Sequence, residues 1–195
     1  MLTFDDGPSG RFTRRLLDGL QARNVYATFF LCGYRMAMYP ELTERIWQEG
    51  HEIGLHGYSH QSMENMSKQE LLSEIAQTAA LLPPEYPAVF LRPPGGLCGN
   101  AVQAVAKEQS LAILHWSIDP MDWATDDTSA IEKAVLSRVH DGDVILMHDM
   151  SDSSVDAALK IVDTLLAQGY SFVTASQLAA RRKALLTPGT IYAHF

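Results

Sequence analysis

Asp5 and Asp6 stand side by side near the start of the chain, and His56 and His60 follow, four residues apart. Two adjacent carboxylates on an extended backbone point in different directions, so they can take different chemical jobs. A His–x3–His pair on a helical turn would set both imidazoles on one face, a frequent metal-binding arrangement. Two imidazoles and one carboxylate, with a position left open for water, describe a catalytic zinc site. They describe a non-haem iron site equally well, so the ligand set alone does not choose. Each piece by itself is ordinary: Asp5-Asp6-Gly7-Pro8 is also a good surface turn, and a His pair at this spacing is often incidental.

More reactive types recur along the chain. Arg92 precedes Pro93-Pro94-Gly95-Gly96, a stiff and then flexible loop, and could hold a carboxylate in a paired hydrogen bond. Asp119-Pro120-Met121-Asp122-Trp123 puts two acids beside a large aromatic on which a sugar ring could stack, although such a tryptophan more often packs a core. His148 ends the apolar run Val144–Met147, where a lone histidine is usually a core or capping residue.

The elements that must position these residues can be read from the pattern. Short β-branched or aromatic runs predict strands at Leu2–Phe4, Ala27–Leu31, Glu52–Leu55, Val89–Leu91, Ala112–Ser117, Val144–His148 and Ser171–Thr174. Between them the spacing predicts helices over Phe12–Arg23, Glu41–Glu49, Lys68–Leu82, Ala101–Glu108, Ala130–Arg138 and Ser154–Gln168. Ser67 with Glu70, and Ser129 with Glu132, fit capping boxes. Gly50 and Gly169 stand where a helix ends in a left-handed residue, and Pro83-Pro84 stops the third helix. Strands alternating with helices imply a mostly parallel sheet in one α/β domain spanning residues 1–195, either an open sheet or a compact barrel. The polar residues then share one rim, because Asp5 and Asp6, His56, Arg92, Asp119 and Asp122, and His148 all follow or end successive strands. In parallel α/β folds that rim hosts the active site.

Composition narrows the partners. The formal net charge of −8 and a pI near 5.3 disfavour nucleic acid and anionic membrane surfaces. No apolar run reaches the roughly 20 residues of a membrane span, and no basic-then-apolar leader opens the sequence, so no signal peptide is expected. A full strand is expected ahead of the first motif, so the start reads as clipped. Cys32 and Cys98 lack the spacing of a metal knuckle and read as free thiols.

Five stretches together resemble the polysaccharide deacetylases, the NodB homology domain of carbohydrate esterase family four. They are Thr3-Phe4-Asp5-Asp6-Gly7-Pro8, His56-Gly57-Tyr58-Ser59-His60, Arg92-Pro93-Pro94-Gly95-Gly96, Asp119-Pro120-Met121-Asp122-Trp123 and Leu146-Met147-His148, in the family's order and from one end of the chain to the other. The resemblance implies a distorted (β/α) barrel of about seven parallel strands. It implies one divalent ion, usually zinc and sometimes cobalt or nickel, on Asp6, His56 and His60. Asp5 would be the catalytic base, held by Arg92, and His148 the general acid, oriented by Asp122. Trp123 and Leu146 would border the acetyl pocket, and Gly95 would offer its backbone N–H to the oxyanion. The implied activity is removal of N-acetyl groups from N-acetylglucosamine glycans such as peptidoglycan or chitin oligosaccharides, at the cell envelope or outside the cell.

Three positions depart from the family pattern. Gly57 replaces a Thr or Ser, removing a hydroxyl that steadies the metal loop. Gly95 replaces a Tyr and removes an aromatic flank of the groove while keeping the N–H. Gln61 replaces a frequent Pro. The two glycines motivate an alternative, a weak or inactive sugar-binding relative, and some relatives of the fold act on small cyclic amides instead. His51 reads as structural, and His115, His140 and His194 lack a partner pattern.

Overall fold

A computed structural model describes all residues, 1–195. Seven strands form one sheet in the order β6-β1-β2-β3-β4-β5-β7, and every pairing is parallel. They are β1 (Leu2–Asp5), β2 (Thr28–Leu31), β3 (Glu52–Leu55), β4 (Phe90–Leu91), β5 (Ala112–Leu114), β6 (Ile145–His148) and β7 (Ile191–Tyr192). Past β5 the chain runs on to Ile118, which bridges Ile145 of β6. The sheet therefore curls back on itself as a distorted half-barrel.

Eight helices cover the outside: α1 (Gly10–Ala22), α2 (Gly33–Met38), α3 (Pro40–Gln48), α4 (Lys68–Ala79), α5 (Asn100–Glu108), α6 (Thr128–Leu136), α7 (Asp152–Ala167) and α8 (Ala175–Arg181). The largest core cluster packs Leu16, Leu17 and Leu20 of α1 and Val155, Ile161 and Val162 of α7 against Leu2, Phe4, Phe29 and Leu31. Leu71 and Ile75 of α4 and Val102 and Val105 of α5 pack separately with Leu55, Leu91 and Ile113. Phe30, Phe90, Leu114 and Val144 form a third cluster. Because side chains alternate faces along a strand, these residues fill the interior while their neighbours face the helices. Gly54 admits the Phe30 ring, whose carbons would lie 2.4 Å from a Cβ on that residue.

Local signals were largely right. Ser67 and Glu70 form the expected capping box on α4, and Gly50 and Gly169 end their helices at φ +85° and +86°. Four expectations need correction. α6 is capped by Asp127, which accepts from Ser129 and Ala130 N–H groups, so Ser129 lies inside the helix. Ser171–Thr174 is not a strand; Phe172 and Val173 are buried, but Thr174 caps α8, and the seventh strand is Ile191–Tyr192, paired to β5. α2 and α8 are short and were not expected. His56–His60 is a loop and not a helical turn, with Gly57 at φ +78° and His60 at φ +62°.

Candidate active site

The inner-face alternation that fills the barrel also delivers the polar residues to its rim. Asp5 ends β1 in register with His148, which ends β6. His56 follows β3 and Arg92 follows β4, joined to the ladder through hydrogen bonds from His56 N–H to Leu31 and from Arg92 N–H to Leu55. The side chains of Asp5, His56, Arg92 and Asp122 are almost wholly withdrawn from solvent.

Arg92 is the hub below the rim. Its guanidinium donates to Asp5 Oδ1 at 2.6 Å, to Thr3 Oγ1, and to the Leu114 and His115 carbonyls. Its flat face lies 4.0 Å from the Phe30 ring centroid. A planar fork with several donors suits such a site, where a lysine could not satisfy as many acceptors.

Asp6 turns out of the strand at φ +70°. Its Oδ1 lies 3.2 Å from His56 Nε2 and 2.8 Å from His60 Nε2. The three side chains each offer one ligand atom within 4.8 Å of the others. Burial resists ionisation of Asp6, but hydrogen bonds and charge from the two imidazoles outweigh it and hold the carboxyl well below the usual range. The same contact with Asp6 raises His60. His56 Nδ1 lies 2.6 Å from the Arg92 carbonyl. A carbonyl only accepts, so Nδ1 carries a proton, and Nε2, which faces Asp6, is the ring nitrogen left to serve as a ligand. One carboxylate and two imidazoles converging beside an open cavity fit a divalent ion, with room for a further ligand.

Across the pocket, Asp122 accepts from His148 twice, at 2.8 Å from the ring Nδ1 and 2.8 Å from the backbone N–H. Burial of the ring works against its charged form, but Asp122, helped by Asp5 and Asp6, raises its pKa to about 9.

Asp5, Asp6, His56, His60, Gly95, Trp116, Asp119, Trp123, Leu146 and His148 line one cavity of about 360 Å³. Arg92 and Asp122 lie behind it. A larger hollow of about 680 Å³ between Asp141, Tyr170 and Arg181 opens at the opposite ends of the strands and gathers no comparable set. Leu146 is buried, whereas Trp123 is 64% exposed. A Cβ on Gly95 would meet nothing within 4 Å, so the missing aromatic leaves that flank open. Gly7 is required by contact, since a Cβ there would stand 2.8 Å from Asp149 Oδ1.

Some contributors were not singled out from sequence. Thr3 and Trp116 were missed, though both share the inner-face periodicity of their strands. Glu74 of α4 accepts backbone N–H bonds from Tyr58 and Ser59, a pairing across 15 and 16 residues that leaves no local pattern. Cys32 and Cys98 are free thiols, as expected.

The polysaccharide deacetylase family model matches residues 1–114. The peptidoglycan-N-acetylmuramic acid deacetylase PdaC of Bacillus subtilis (strain 168) is 36% identical over 184 residues, covering 93% of this chain and 39% of that protein. The chain thus spans about two fifths of that relative's length. A peptidoglycan-N-acetylglucosamine deacetylase of Bacillus cereus is 38% identical over 184 residues, covering 91% of this chain and 86% of the relative. Among solved structures, a family 4 acetyl xylan esterase from Clostridium thermocellum in complex with a cobalt ion superposes with a TM-score of 0.91 at 32% identity, covering 99% of this chain and 97% of that one. Motif order, barrel and sequence similarity agree, and the chain belongs to the polysaccharide deacetylase family of hydrolases.

Proposed function

We propose that the protein is a metal-dependent hydrolase that removes N-acetyl groups from N-acetylglucosamine-containing glycans and releases acetate. One observation carries this most: Asp5, tied to Arg92, and His148, tied to Asp122, line one cavity with the Asp6–His56–His60 cluster between them in the chemistry. A divalent ion on those three ligands, with zinc the first candidate and cobalt or nickel next, supplies an acidified water and a polarised acetyl carbonyl when bound.

The chain's own residues account for the proton transfers. Arg92 occupies Asp5 Oδ1 and leaves Oδ2 toward the cluster, 3.8 Å from His56 Nε2. From there Asp5 takes a proton from the attacking water. An amine is a poor leaving group, so the C–N bond breaks as the nitrogen receives a proton. His148 is suited to give it, since Asp122 holds Nδ1 and keeps the ring charged at neutral pH. The Gly95 backbone N–H is the candidate protein donor to the oxyanion, and Leu146 and Trp123 border the acetyl group.

The groove favours a neutral glycan. A second hollow of about 280 Å³, lined by Asp122, Thr125, Asp126, Met150, Ser151 and Ser154 among others, shares Asp6, Trp123 and His148 with the first. Neither lining contains a lysine or arginine. Outside the reacting centre, where His148 and the ion belong, a muramic lactyl carboxylate meets only acidic and neutral side chains, whereas the hydroxyls and acetamides of an N-acetylglucosamine chain find acceptors, donors and the exposed face of Trp123. Relatives named for peptidoglycan make the cell envelope or the exterior the expected place of action. No helix is long and apolar enough to cross a membrane.

The test is acetate release from chitin oligomers, peptidoglycan and acetyl xylan with zinc, cobalt or nickel added. Zinc- or cobalt-dependent release from N-acetylglucosamine oligomers supports the proposal. Glycan binding by calorimetry without any acetate would instead mark a sugar-binding relative.

A further inference from the structure

The loop His56–His60 carries two of the three proposed ligands, yet it is neither helix nor strand. Gly57 and His60 both lie in the left-handed region, at φ +78° and +62°, a conformation that costs an L-residue such as histidine and needs external support. His60 is also the ligand with the greatest side-chain exposure, 41%, so packing alone does not fix it.

The support comes from two sides. The first N–H groups of α2, on Gly33 and Tyr34, donate to the Gly57 and Tyr58 carbonyls at 2.9 and 3.0 Å. On the other face, one oxygen of Glu74, Oε2, accepts from Tyr58 N–H at 2.7 Å and Ser59 N–H at 2.9 Å. Glu74 is held in turn by α4, whose Leu71 and Ile75 are buried and whose N-terminus carries the Ser67–Glu70 box. A Cβ on Gly57 would meet Met63 Cε at 2.7 Å and Glu74 Oε2 at 3.1 Å. The carboxylate therefore occupies the space beside a residue whose hydroxyl is missing.

We propose that Glu74 is a positioning residue for the metal centre, fixing the loop that presents His60 and taking over the bracing that a side chain at position 57 would give. It rests on the assignment of Asp6, His56 and His60 as ligands. Glu74 touches neither substrate nor ion; it acts through the Tyr58 and Ser59 amides.

The decisive experiment titrates cobalt(II) into the metal-free full chain and follows its visible absorption, for wild type, Glu74→Met and Glu74→Gln. The methionine keeps the stem and removes the acceptor, and glutamine keeps one oxygen able to take both amides. Glu74→Met should bind cobalt about 10–100-fold more weakly, the usual effect of losing a partner behind a ligand. Glu74→Gln should stay within about threefold. Equal affinity in wild type and Glu74→Met, or equal losses in both variants, would overturn the proposal. If wild type binds no cobalt, the ligand assignment itself fails. Hydrogen exchange on metal-free wild type needs no variant: slow Tyr58 and Ser59 amides support the brace, and exchange at unprotected rates refutes it.

Discussion

Arg92 Nη1 donates to Asp5 Oδ1 at 2.6 Å, with side-chain exposures of 0% and 5%. The pair is at once a structural tie between β1 and the end of β4 and the holder of the proposed base. Removing the arginine leaves a buried carboxylate without its counter-charge, which typically costs about 3–5 kcal/mol. Arg92→Met should therefore lower the melting temperature sharply as well as abolish acetate release. Asp5→Asn keeps the shape and should still bind cobalt, while kcat falls by about 10²–10⁴, the usual worth of a general base. Full activity in Asp5→Asn would assign the base elsewhere.

With His148 as the proposed acid, the His148–Asp122 pair should set the alkaline limit. The acid must be protonated, so activity that depends on it holds below the His148 pKa of about 9 and falls as pH rises through that value. Asp122→Asn removes the charge that raises the ring. The alkaline limb of kcat against pH should then move toward neutrality by about 1–3 pH units, the range for one close opposite charge. An unmoved limb would show that a different group gives the proton.

Much of this rim was legible because a parallel strand writes its own geometry into sequence. Asp5, His56, Arg92 and His148 each end or follow an apolar run, and the period of two aims them all inward. The Asp6 turn and the His56–His60 spacing were visible too, but their conformation was not. An i, i+4 pair suggests a helical face, whereas two left-handed residues fold it as a loop. That geometry depends on Glu74 and on the α2 amides, contacts made across the fold. The seventh strand escaped for a similar reason. Phe172 and Val173 are as apolar as strand residues, yet pairing is decided by which segment reaches β5, and Ile191–Tyr192 does.

Metal removal should act on both activity and stability. Chelation should abolish acetate release, and zinc or cobalt should restore it. A ligand present at 100 times its Kd adds about 2.7 kcal/mol to the folded state, so the melting temperature should rise with metal concentration. His60 is raised by Asp6 in the metal-free protein, and an ion must displace that proton. Affinity should weaken as pH falls, and calorimetry in buffers of different ionisation heat should detect proton release. Affinity that stays constant as pH falls would contradict this picture of the cluster.

His51 gives a stability test away from the chemistry. It is buried, its Nδ1 accepts from Ala27 N–H at 3.2 Å, and burial, with Arg45 adding, lowers its pKa to about 4. The unfolded chain binds the proton near pH 6.5, so stability from the neutral ring is fully present above that pH. It is lost as pH falls through about 4, by an amount on the order of 3 kcal/mol. His51→Leu should be less stable at neutral pH by about 1–3 kcal/mol for the unpaired amide. The gap to wild type should close under acid. A constant gap between pH 7 and pH 4 would show that the ring does not titrate as buried.

Trp123 separates groove from chemistry. It is 64% exposed yet lines both hollows that flank the cluster, with Asp119 on one side and Asp126 on the other. If it is a stacking platform for the glycan, Trp123→Ala should raise KM for chitin oligomers by about 10-fold or more, in line with an aromatic contact of about 0.5–1.5 kcal/mol plus the apolar area lost. Turnover of a small aryl acetate, which loses only the indole's border with the acetyl group and does not span the groove, should fall by less. Asp126→Lys replaces an acid by a cation in a groove that holds no lysine or arginine, and it should improve the ratio of kcat/KM for muramic-acid-containing fragments over chitin oligomers. Equal losses on oligomer and aryl acetate in Trp123→Ala would place the indole in the acetyl pocket alone and remove the groove from the account of substrate choice.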